Sequence, residues 1–488
     1  MQSPIDGKTR IAYGFGNASD GIKESAFSVF VIFYYTQVIG ISASMAGFAI
    51  LCALAVDAIS DPLIGHWSDK LQTRWGRRHP LMYVSIIPLS LSFYFLFNPP
   101  EGLDPDFGFV WLLVFAVSVR LWISFYSIPS NAMIAEITSD YHERTRLVSL
   151  RSLFAWGAGI GMSFLAYSFL FTATATYPDG RLNPEAYEIY GFIGALAVAI
   201  SILISALGTH HLIPVMKMRL PKGQITLSFF SGFRSIFTTH AFRILFLATL
   251  IGSVTNGVMD TLRLFVNTYF WGFTSSQLSI LLIGTIIGVI VAFGGLRFFA
   301  DRIEKKPLII MFMVISVVAG TLPILLRLVG WMPENGTTAL LVIITLATAA
   351  NTVGGFGALA MGASMLADVV DVHHLHSGSR LEGLHFSSFT FSAKATTGIG
   401  GFVAGIALDV IQFPSKAVPG EVAEMTIVAL GGMNAVIVGV TLGLSLLLLL
   451  RYPIDRQQHS DVLNSLNLGS NNRQLSDQVG KAEEGTAT

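Results

Sequence analysis

The chain has 488 residues, of which 52% are hydrophobic and only 12% are charged. Soluble domains carry roughly 25% charged residues, so this chain has too few to cover its apolar surface, and its solvent must be lipid. The 30 basic and 30 acidic residues cancel, which argues against a nucleic acid as partner, and a single cysteine excludes a disulfide framework.

Apolar segments follow one another along the chain, and each is near the roughly 20 residues that a helix needs to cross the bilayer. None of them has the period-two alternation of a membrane β-barrel strand. The sequence therefore predicts an all-α membrane protein with twelve transmembrane helices. The predicted spans are 11–38, 44–68, 81–98, 107–135, 147–173, 187–208, 241–270, 277–299, 307–330, 338–367, 384–411 and 424–450.

The basic residues of the connections predict the orientation in the membrane. Connections after the even-numbered spans carry most of the loop lysines and arginines, whereas the opposite connections carry only Arg181 and Lys416. Positively charged loops stay on the cytoplasmic side. We therefore expect a multi-pass protein of the plasma membrane, the inner membrane of a bacterium, with both termini in the cytoplasm.

The longest polar connection predicts a division into two halves. It gives an N-terminal six-helix half (1–208), a central cytoplasmic loop (209–240), a C-terminal six-helix half (241–451) and a disordered cytoplasmic tail (452–488). Asp69-Lys70 after span 2 and Asp301-Arg302 after span 8 occupy corresponding positions of the halves. Two six-helix halves are the plan of the major facilitator fold, whose site lies between the halves near the midplane.

Several charged residues lie within the predicted spans, where a charge costs at least about 2.5–3.5 kcal/mol, and three of them point to a cation site. Asp57 and Asp61 in span 2 are four residues apart and so share one helix face. Such a pair binds Na⁺ through its oxygens, or holds a proton when one carboxyl is neutral. Lys394 in span 11 is their expected partner across the interface between the halves. The alternative is a purely structural pair locked to a basic residue.

Polar residues at helical spacing also mark spans 1 and 7. Asp20, Lys23 and Glu24 share a face of span 1, and span 7 carries Asn256 and Asp260, followed by Arg263. Carboxylates accept strong hydrogen bonds, which suits a hydroxyl-rich solute. In the alternative interpretation, the acidic residues only neutralise Lys23.

Two arginines lie in the remaining spans of the first half. Arg151, early in span 5, is expected to reach toward Asp20, and Arg120 in span 4 is expected to extend its charge to the membrane surface.

The connection after span 10 is rich in histidine, at positions 373, 374, 376 and 385. Its charged neighbours favour a latch between helices over a metal site, and the role of residues 373–385 stays open. The sequence has no phosphate-binding loop, no Gly-x-Ser-x-Gly and no His-Glu-x-x-His motif. We therefore expect no enzyme and no cofactor apart from a coupling ion.

Several motifs occur in a fixed order from residue 13 to about residue 401. They are Tyr13-Gly14-Phe15-Gly16, Asp57-Ala58-Ile59-Ser60-Asp61-Pro62, Thr73-Arg74-Trp75-Gly76-Arg77-Arg78, Ala367-Asp368-Val369-Val370-Asp371, Arg380-Leu381-Glu382-Gly383 and Lys394 with Gly398. The ordered set resembles the glycoside–pentoside–hexuronide:cation symporter family, the melibiose permease-like carriers of the major facilitator superfamily.

The resemblance implies symport of a sugar or glycoside with H⁺, Na⁺ or Li⁺ by alternating access. It implies that Asp57 and Asp61 are the cation carboxylates, which would ligate the metal if the ion is Na⁺, and that Asp20 and Arg151 bind the solute. The candidate cation-binding residues are Asp57, Asp61, Ser127 and Lys394. The candidate solute-binding residues are Asp20, Lys23, Glu24, Tyr126, Asn131, Arg151, Asn256, Asp260 and Lys394.

Span 4 departs from the pattern of that family at two positions. Ser127 stands where melibiose permease has an Asp before Ile-Pro, and Asn131 stands where it has a Trp. With one carboxylate fewer facing Lys394, H⁺ is favoured over Na⁺ as the coupling ion.

Because of Ser127 and Asn131, the sequence does not identify which solute is carried. Relatives of this fold carry lysophospholipids. A cation-coupled carrier of a lysolipid or another amphipathic solute is the alternative. A non-transporting sensor is disfavoured because the intramembrane charges are retained. We expect a monomer whose partners are a small solute and the bilayer.

Overall fold

The computed structural model describes residues 5–138, 140–218, 234–300, 302–377 and 381–465. Within these ranges every regular element is a helix, and one isolated bridge joins Thr73 to Gly76. The predicted all-α class is confirmed. Ten helices are long and apolar enough to cross a membrane, and two further helical stretches, 7–39 and 382–410, make the fold consistent with twelve spans.

The helices are numbered α1 to α12 by span. In the first half, α1 comprises Gly7–Phe15 and Ala18–Ser25 and continues to Ile39, and the others are α2 Ala43–Lys70, α3 His79–Leu96, α4 Pro105–Ile137, α5 Tyr141–Leu165 and α6 Pro184–His210. In the second half they are α7 His240–Phe265, α8 Ser275–Ala300, α9 Lys305–Leu328, α10 Thr338–Ser377, α11 Glu382–Ala395 continuing through Gly401–Val410, and α12 Glu424–Leu450.

Side-chain caps explain where several of these helices begin. Asp6, Ser42, Asp104 and Asp140 each accept a hydrogen bond from the backbone N–H three residues later. This bond satisfies one of the N–H groups that the first turn of a helix leaves without a partner.

Wide π-helical turns interrupt or end four of the helices. They occur at Ala26–Phe30 and Tyr34–Ile39 in α1, at Ala166–Leu170 after α5, at Val266–Phe270 after α7 and at Thr396–Gly400 in α11. A π turn inserts one residue and so rotates the rest of the helix relative to an ideal repeat. The turns of α1 and α5 recur in α7 and α11, which fits two repeated halves.

Small residues let helices approach at the points that position the charged groups. A Cβ on Gly21 of α1 would lie 1.8 Å from the Ala155 carbonyl oxygen of α5. A Cβ on Gly405 of α11 would lie 2.2 Å from the Ala43 carbonyl oxygen of α2. Only glycine fits such contacts. The first holds α1 against α5 within one half, and the second holds α2 against α11 across the two halves.

The connections define two ends of the bundle. The basic end carries the connections after α2, α4, α6, α8 and α10, and the acidic end carries those after the odd-numbered helices. At the acidic end the halves are joined by hydrogen bonds. The Asp409 carboxylate accepts from the N–H groups of Ala43 (3.2 Å) and Ser44 (3.1 Å), and Gln37 Oε1 accepts from Tyr269 Oη at 3.0 Å.

An ion-pair network holds the connection after α2 at the basic end. Arg78 donates to Asp69 at 2.6 Å, to Ser68 at 2.8 Å and to Glu136 of α4 at 2.8 Å. These contacts give Asp69 a structural role in this connection. In the second half, Lys305 contacts Asp368 of α10 at 2.7 Å, whereas the Asp301 that the sequence paired with Asp69 lies outside the described residues.

The prediction of a disordered tail over 452–488 is wrong for residues 452–465. Tyr452 is buried and its carbonyl oxygen accepts from Lys306 Nζ at 2.8 Å, and residues 456–465 form a helix. His459 Nε2 lies 3.2 Å from Asp371 Oδ2 on α10. Apolar and charged contacts therefore attach this stretch to the second half, and residues 466–488 lie outside the described residues.

Candidate transport site

A lysine of one half lies between two aspartates of the other. Lys394 Nζ of α11 is 3.0 Å from Asp57 Oδ2 and is also hydrogen-bonded to Asp61 Oδ2 of α2. The four-residue spacing on a regular helix places both carboxylates on the face that meets α11. The structure thus brings together the three charges that the sequence singled out.

The two aspartates have different surroundings. Asp57 is 4% exposed, and its Oδ1 accepts a hydrogen bond from Ser124 Oγ at 2.9 Å. Asp61 keeps 18% of its side chain accessible, and its buried Oδ1 accepts no hydrogen bond within the part of the chain that the structure describes. Asp57 is therefore held on both oxygens, while Asp61 has one oxygen available.

Arg120 of α4 belongs to this cluster, which corrects the prediction that it extends to the membrane surface. Arg120 is 2% exposed, and its Nη1 lies 3.6 Å from Asp57 Oδ2. Its guanidinium also lies over the Phe27 ring, 5.2 Å from the centroid. The physical reason is that a carboxylate inside the bundle offers a stronger partner than the distant headgroups.

Ser127 was predicted to bind the cation, and the structure places it elsewhere. Its Oγ donates to Asp20 Oδ2 of α1 at 2.6 Å. Ser124, three residues earlier on α4, contacts Asp57 instead. Three residues correspond to roughly a 60° turn of the helix face, so the two serines are directed to different neighbours.

Arg151 of α5 organises a polar network against α1. It donates to Ser130 Oγ at 2.7 Å, to Asn17 Oδ1 at 2.7 Å and to Tyr13 Oη at 3.0 Å. Arg151 is buried, and in the described residues its hydrogen bonds go to these groups rather than to Asp20, which the sequence had suggested. Asp20 therefore accepts from Ser127 and lies beside the network.

Two further solute-binding candidates on α4 differ from each other in burial. Tyr126 is fully buried and donates to Ser205 Oγ of α6 at 3.3 Å, and a Cβ on Gly16 would collide with its hydroxyl. Its side chain is enclosed between α1, α4 and α6, which does not favour the predicted solute contact. Asn131 is exposed and lies on the α4 face of Ser127, one turn nearer the basic end.

Accessible charged groups face one another between α1 and α7. Lys23 forms an ion pair with Glu24 at 2.9 Å, and Glu24 keeps 48% of its side chain accessible. Asp260 pairs with Arg263 and lies within electrostatic range of Glu24. Asn256 is exposed one turn away on the Asp260 face. These polar groups lie on α1 of one half and α7 of the other, and the Lys23–Glu24 pair agrees with the neutralising alternative.

The histidine-rich connection shows contacts between protein groups rather than a metal cluster. His373 hydrogen-bonds Thr239 Oγ1 at 3.0 Å, and its ring centroid lies 5.1 Å from that of His385. No group of His, Cys, Asp or Glu able to hold a metal ion occurs among the described residues. The latch interpretation fits Asp368 and Asp371, which contact Lys305 and His459. The side chain of His376 and all of Arg380 lie outside the described residues.

The profile of the MFS/sugar transport protein family matches residues 12–456. The chain belongs to this family of membrane transporters. The membership confirms the resemblance drawn from the motifs and the expectation that the protein is a transporter rather than an enzyme.

Individual relatives span nearly the whole chain. An uncharacterized symporter of Synechocystis sp. is 26% identical, over 96% of this chain and 98% of its own. The isoprimeverose transporter of Lactiplantibacillus pentosus is 25% identical, over 92% and 88%. An inner membrane symporter of Escherichia coli is 23% identical, over 82% and 81%.

A solved structure supports the fold of this sugar-transport family member. The crystal structure of a bacterial homolog of the human lysosomal transporter Spinster, in an inward-facing, unoccupied conformation, superposes with a TM-score of 0.61. It is 15% identical and covers 94% of this chain and 96% of its own. At that identity the similarity confirms the major facilitator fold alone.

The sequence did not predict that three residues belong to the polar clusters of this transporter. Ser124 and Ser130 are single hydroxyls in an apolar span, and Arg120 was assigned to the surface. The only signal in the sequence is that Arg120 and Ser124 are four residues apart, which places them on one face of α4.

Proposed function

We propose that this transporter moves a sugar or glycoside across the membrane in symport with H⁺ or Na⁺. The observation that carries the proposal is Lys394, which contacts Asp57 and Asp61 from the opposite half. A cation bound to these carboxylates replaces the lysine, so ion binding alters a contact between the halves. Coupling requires such a difference between two conformational states.

The solute is assigned to a cleft between the halves, where polar residues of both would face it. Asp20 and the Arg151 network lie on one wall, and Asn256 and Asp260 lie on the other. A sugar presents several hydroxyl groups, which donate to carboxylates and accept from an arginine or an amide. The family description and the isoprimeverose transporter among the relatives support a sugar.

A lysolipid or other amphipathic solute remains the alternative class. It needs a broad apolar surface along the cleft, whereas Glu24, Asp260 and Arg263 are charged and accessible there. The charges favour the sugar because an acyl chain beside them would leave them desolvated without partners.

We place the protein in a bacterial inner membrane with its basic end in the cytoplasm. The excess of loop lysines and arginines at that end and the inner membrane symporter among the relatives support this assignment. Apart from the contacts of Lys394, hydrogen bonds join the halves at the acidic end, and the accessible Asn131 lies toward the basic end. The structure would then be the inward-facing state of an alternating-access cycle.

Uptake by right-side-out vesicles tests the function, with a panel of glycosides and separately imposed pH and Na⁺ gradients. We expect the wild type to accumulate at least one glycoside. Asp61→Asn should abolish accumulation while downhill exchange of the same glycoside continues, because the neutral amide cannot bind the ion. Normal accumulation by this variant would refute the assignment of the ion site, and transport of lysolipid but of no glycoside would refute the solute class.

A further inference from the structure

One turn of α4 presents a fixed charge and a hydroxyl to the same carboxylate. Arg120 Nη1 lies 3.6 Å from Asp57 Oδ2, and Ser124 Oγ lies 2.9 Å from Asp57 Oδ1. Ser124 is also 3.1 Å from the Arg120 carbonyl oxygen, which fixes the hydroxyl on this face. A guanidinium stays protonated at any physiological pH. Asp57 therefore keeps a cationic neighbour whether or not Lys394 is present.

The cluster balances its charges without a metal ion. Asp57, Asp61 and Glu24 supply three negative charges, and Lys394, Arg120 and Lys23 supply three positive charges. Lys23 lies within electrostatic range of Asp57 as well. If Na⁺ replaces Lys394 at Asp57, it must sit beside Arg120, and like charges repel strongly where little water screens them.

The carboxylate oxygens of Asp57 and Asp61 also differ in their availability to bind a cation. Asp57 has hydrogen-bonding or charged partners on both oxygens, so it provides few positions for the several oxygen ligands that a hard cation needs. Asp61 Oδ1 is buried and accepts no hydrogen bond among the described residues. A proton needs only one such oxygen.

We propose that Arg120 acts as a built-in cation at Asp57 and thereby restricts the coupling ion to a single proton carried by Asp61. The proposal rests on the proposed symport function. Arg120 keeps Asp57 ionised throughout the cycle. Protonation of Asp61 removes one of the two carboxylates that hold Lys394, and deprotonation restores it. Arg120 is thus a residue that determines ion specificity, and it touches neither the solute nor the transferred proton.

Arg120→Gln tests the proposal, because it removes the charge and retains a hydrogen-bond donor. In proteoliposomes at fixed pH, we expect Na⁺ to change glycoside uptake by the wild type less than about twofold. The variant should gain a Na⁺ stimulation on the order of tenfold, the scale of one lost repulsion between neighbouring charges. Arg120→Lys, which keeps the charge, should retain the ion preference of the wild type.

Arg327→Gln is the matched control, since Arg327 binds the Pro333 carbonyl and Asn335 away from the cluster. It should not alter the response to Na⁺. Glycoside counterflow without any ion gradient reports whether each variant is folded and binds the solute. If Arg120→Gln is inactive even in counterflow, Arg120→Lys decides: a tenfold Na⁺ response in that variant overturns the proposal, and a wild-type response supports it.

Different outcomes would contradict the role of Arg120 and the proposed symport function. Na⁺-driven accumulation by the wild type, or an unchanged ion preference in an Arg120→Gln variant that is active in counterflow, overturns the role of Arg120. It leaves the symport function intact as long as Asp61→Asn still abolishes accumulation. If no glycoside is transported under either gradient, the proposed function itself fails.

Discussion

The cluster around Lys394 and the network around Arg151 are both buried and polar, yet they differ in which helices supply them. The first joins α2 and α4 of one half to α11 of the other. The second consists of α1, α4 and α5, all within the first half. A contact between halves must change when the halves rearrange, whereas a contact within one half moves as part of a rigid body. Under the proposed function, we expect the first cluster to govern coupling and the second to govern solute affinity.

Removal of Lys394 should have the largest effect, because it acts on the contact between the halves. Lys394→Ala leaves Asp57 and Asp61 facing each other, and an uncompensated buried charge costs about 3–5 kcal/mol. We expect concentrative uptake to fall roughly 100-fold or more. Initial rates and plateau accumulation in vesicles measure the effect, with Arg327→Ala at the acidic end as control. Full accumulation by the variant would show that the contact is not needed for coupling.

Neutralisation of Asp20 should reduce affinity and leave coupling intact. Asp20→Asn removes a charge-assisted acceptor, which is worth about 1.5–3 kcal/mol. We therefore expect a KM higher by roughly 10- to 100-fold, with an unchanged ratio of coupling ion to solute. Measured flux ratios under a pH gradient check the second point. A changed ratio would mean that the two clusters are not separate.

Double substitutions test whether the Lys394 cluster and the Asp20 site act independently. Independent sites add their free energies, while residues in one network do not. Asp20→Asn and Lys394→Ala should therefore have additive effects on counterflow, measured as free energies. Asp61→Asn should rescue part of the defect of Lys394→Ala, because it removes the charge left without a partner. If the first pair couples as strongly as the second, the two clusters form one unit.

Tyr126→Phe should have the smallest effect, because its hydroxyl is enclosed within the first half. The variant loses one buried hydrogen bond to Ser205, which is worth about 0.5–1.5 kcal/mol. We expect a slightly lower thermal unfolding temperature in detergent and an unchanged KM. An increase in KM of tenfold or more would place Tyr126 in contact with the solute, contrary to its burial.

The sequence alone determined the properties that depend on chain length, local composition and helical spacing. The apolar segments required a membrane and its helices, and the four-residue spacing placed Asp57 and Asp61 on one face. The isolated Lys394 could be matched to them because a buried charge needs a partner. Family motifs then indicated a sugar transporter, which the family match confirmed.

Only the tertiary structure decided which neighbour each helix face meets. The spacing of α4 fixes the angle between Ser124, Ser127 and Tyr126 but not the rotation of α4 in the bundle. The sequence therefore could not show that Ser124 rather than Ser127 contacts Asp57, or that Tyr126 is buried. In α1 and α11, π-helical turns shift the face of every residue beyond them. The burial of Arg120 likewise depended on where Asp57 lies across the interface between α2 and α4, which no local pattern records.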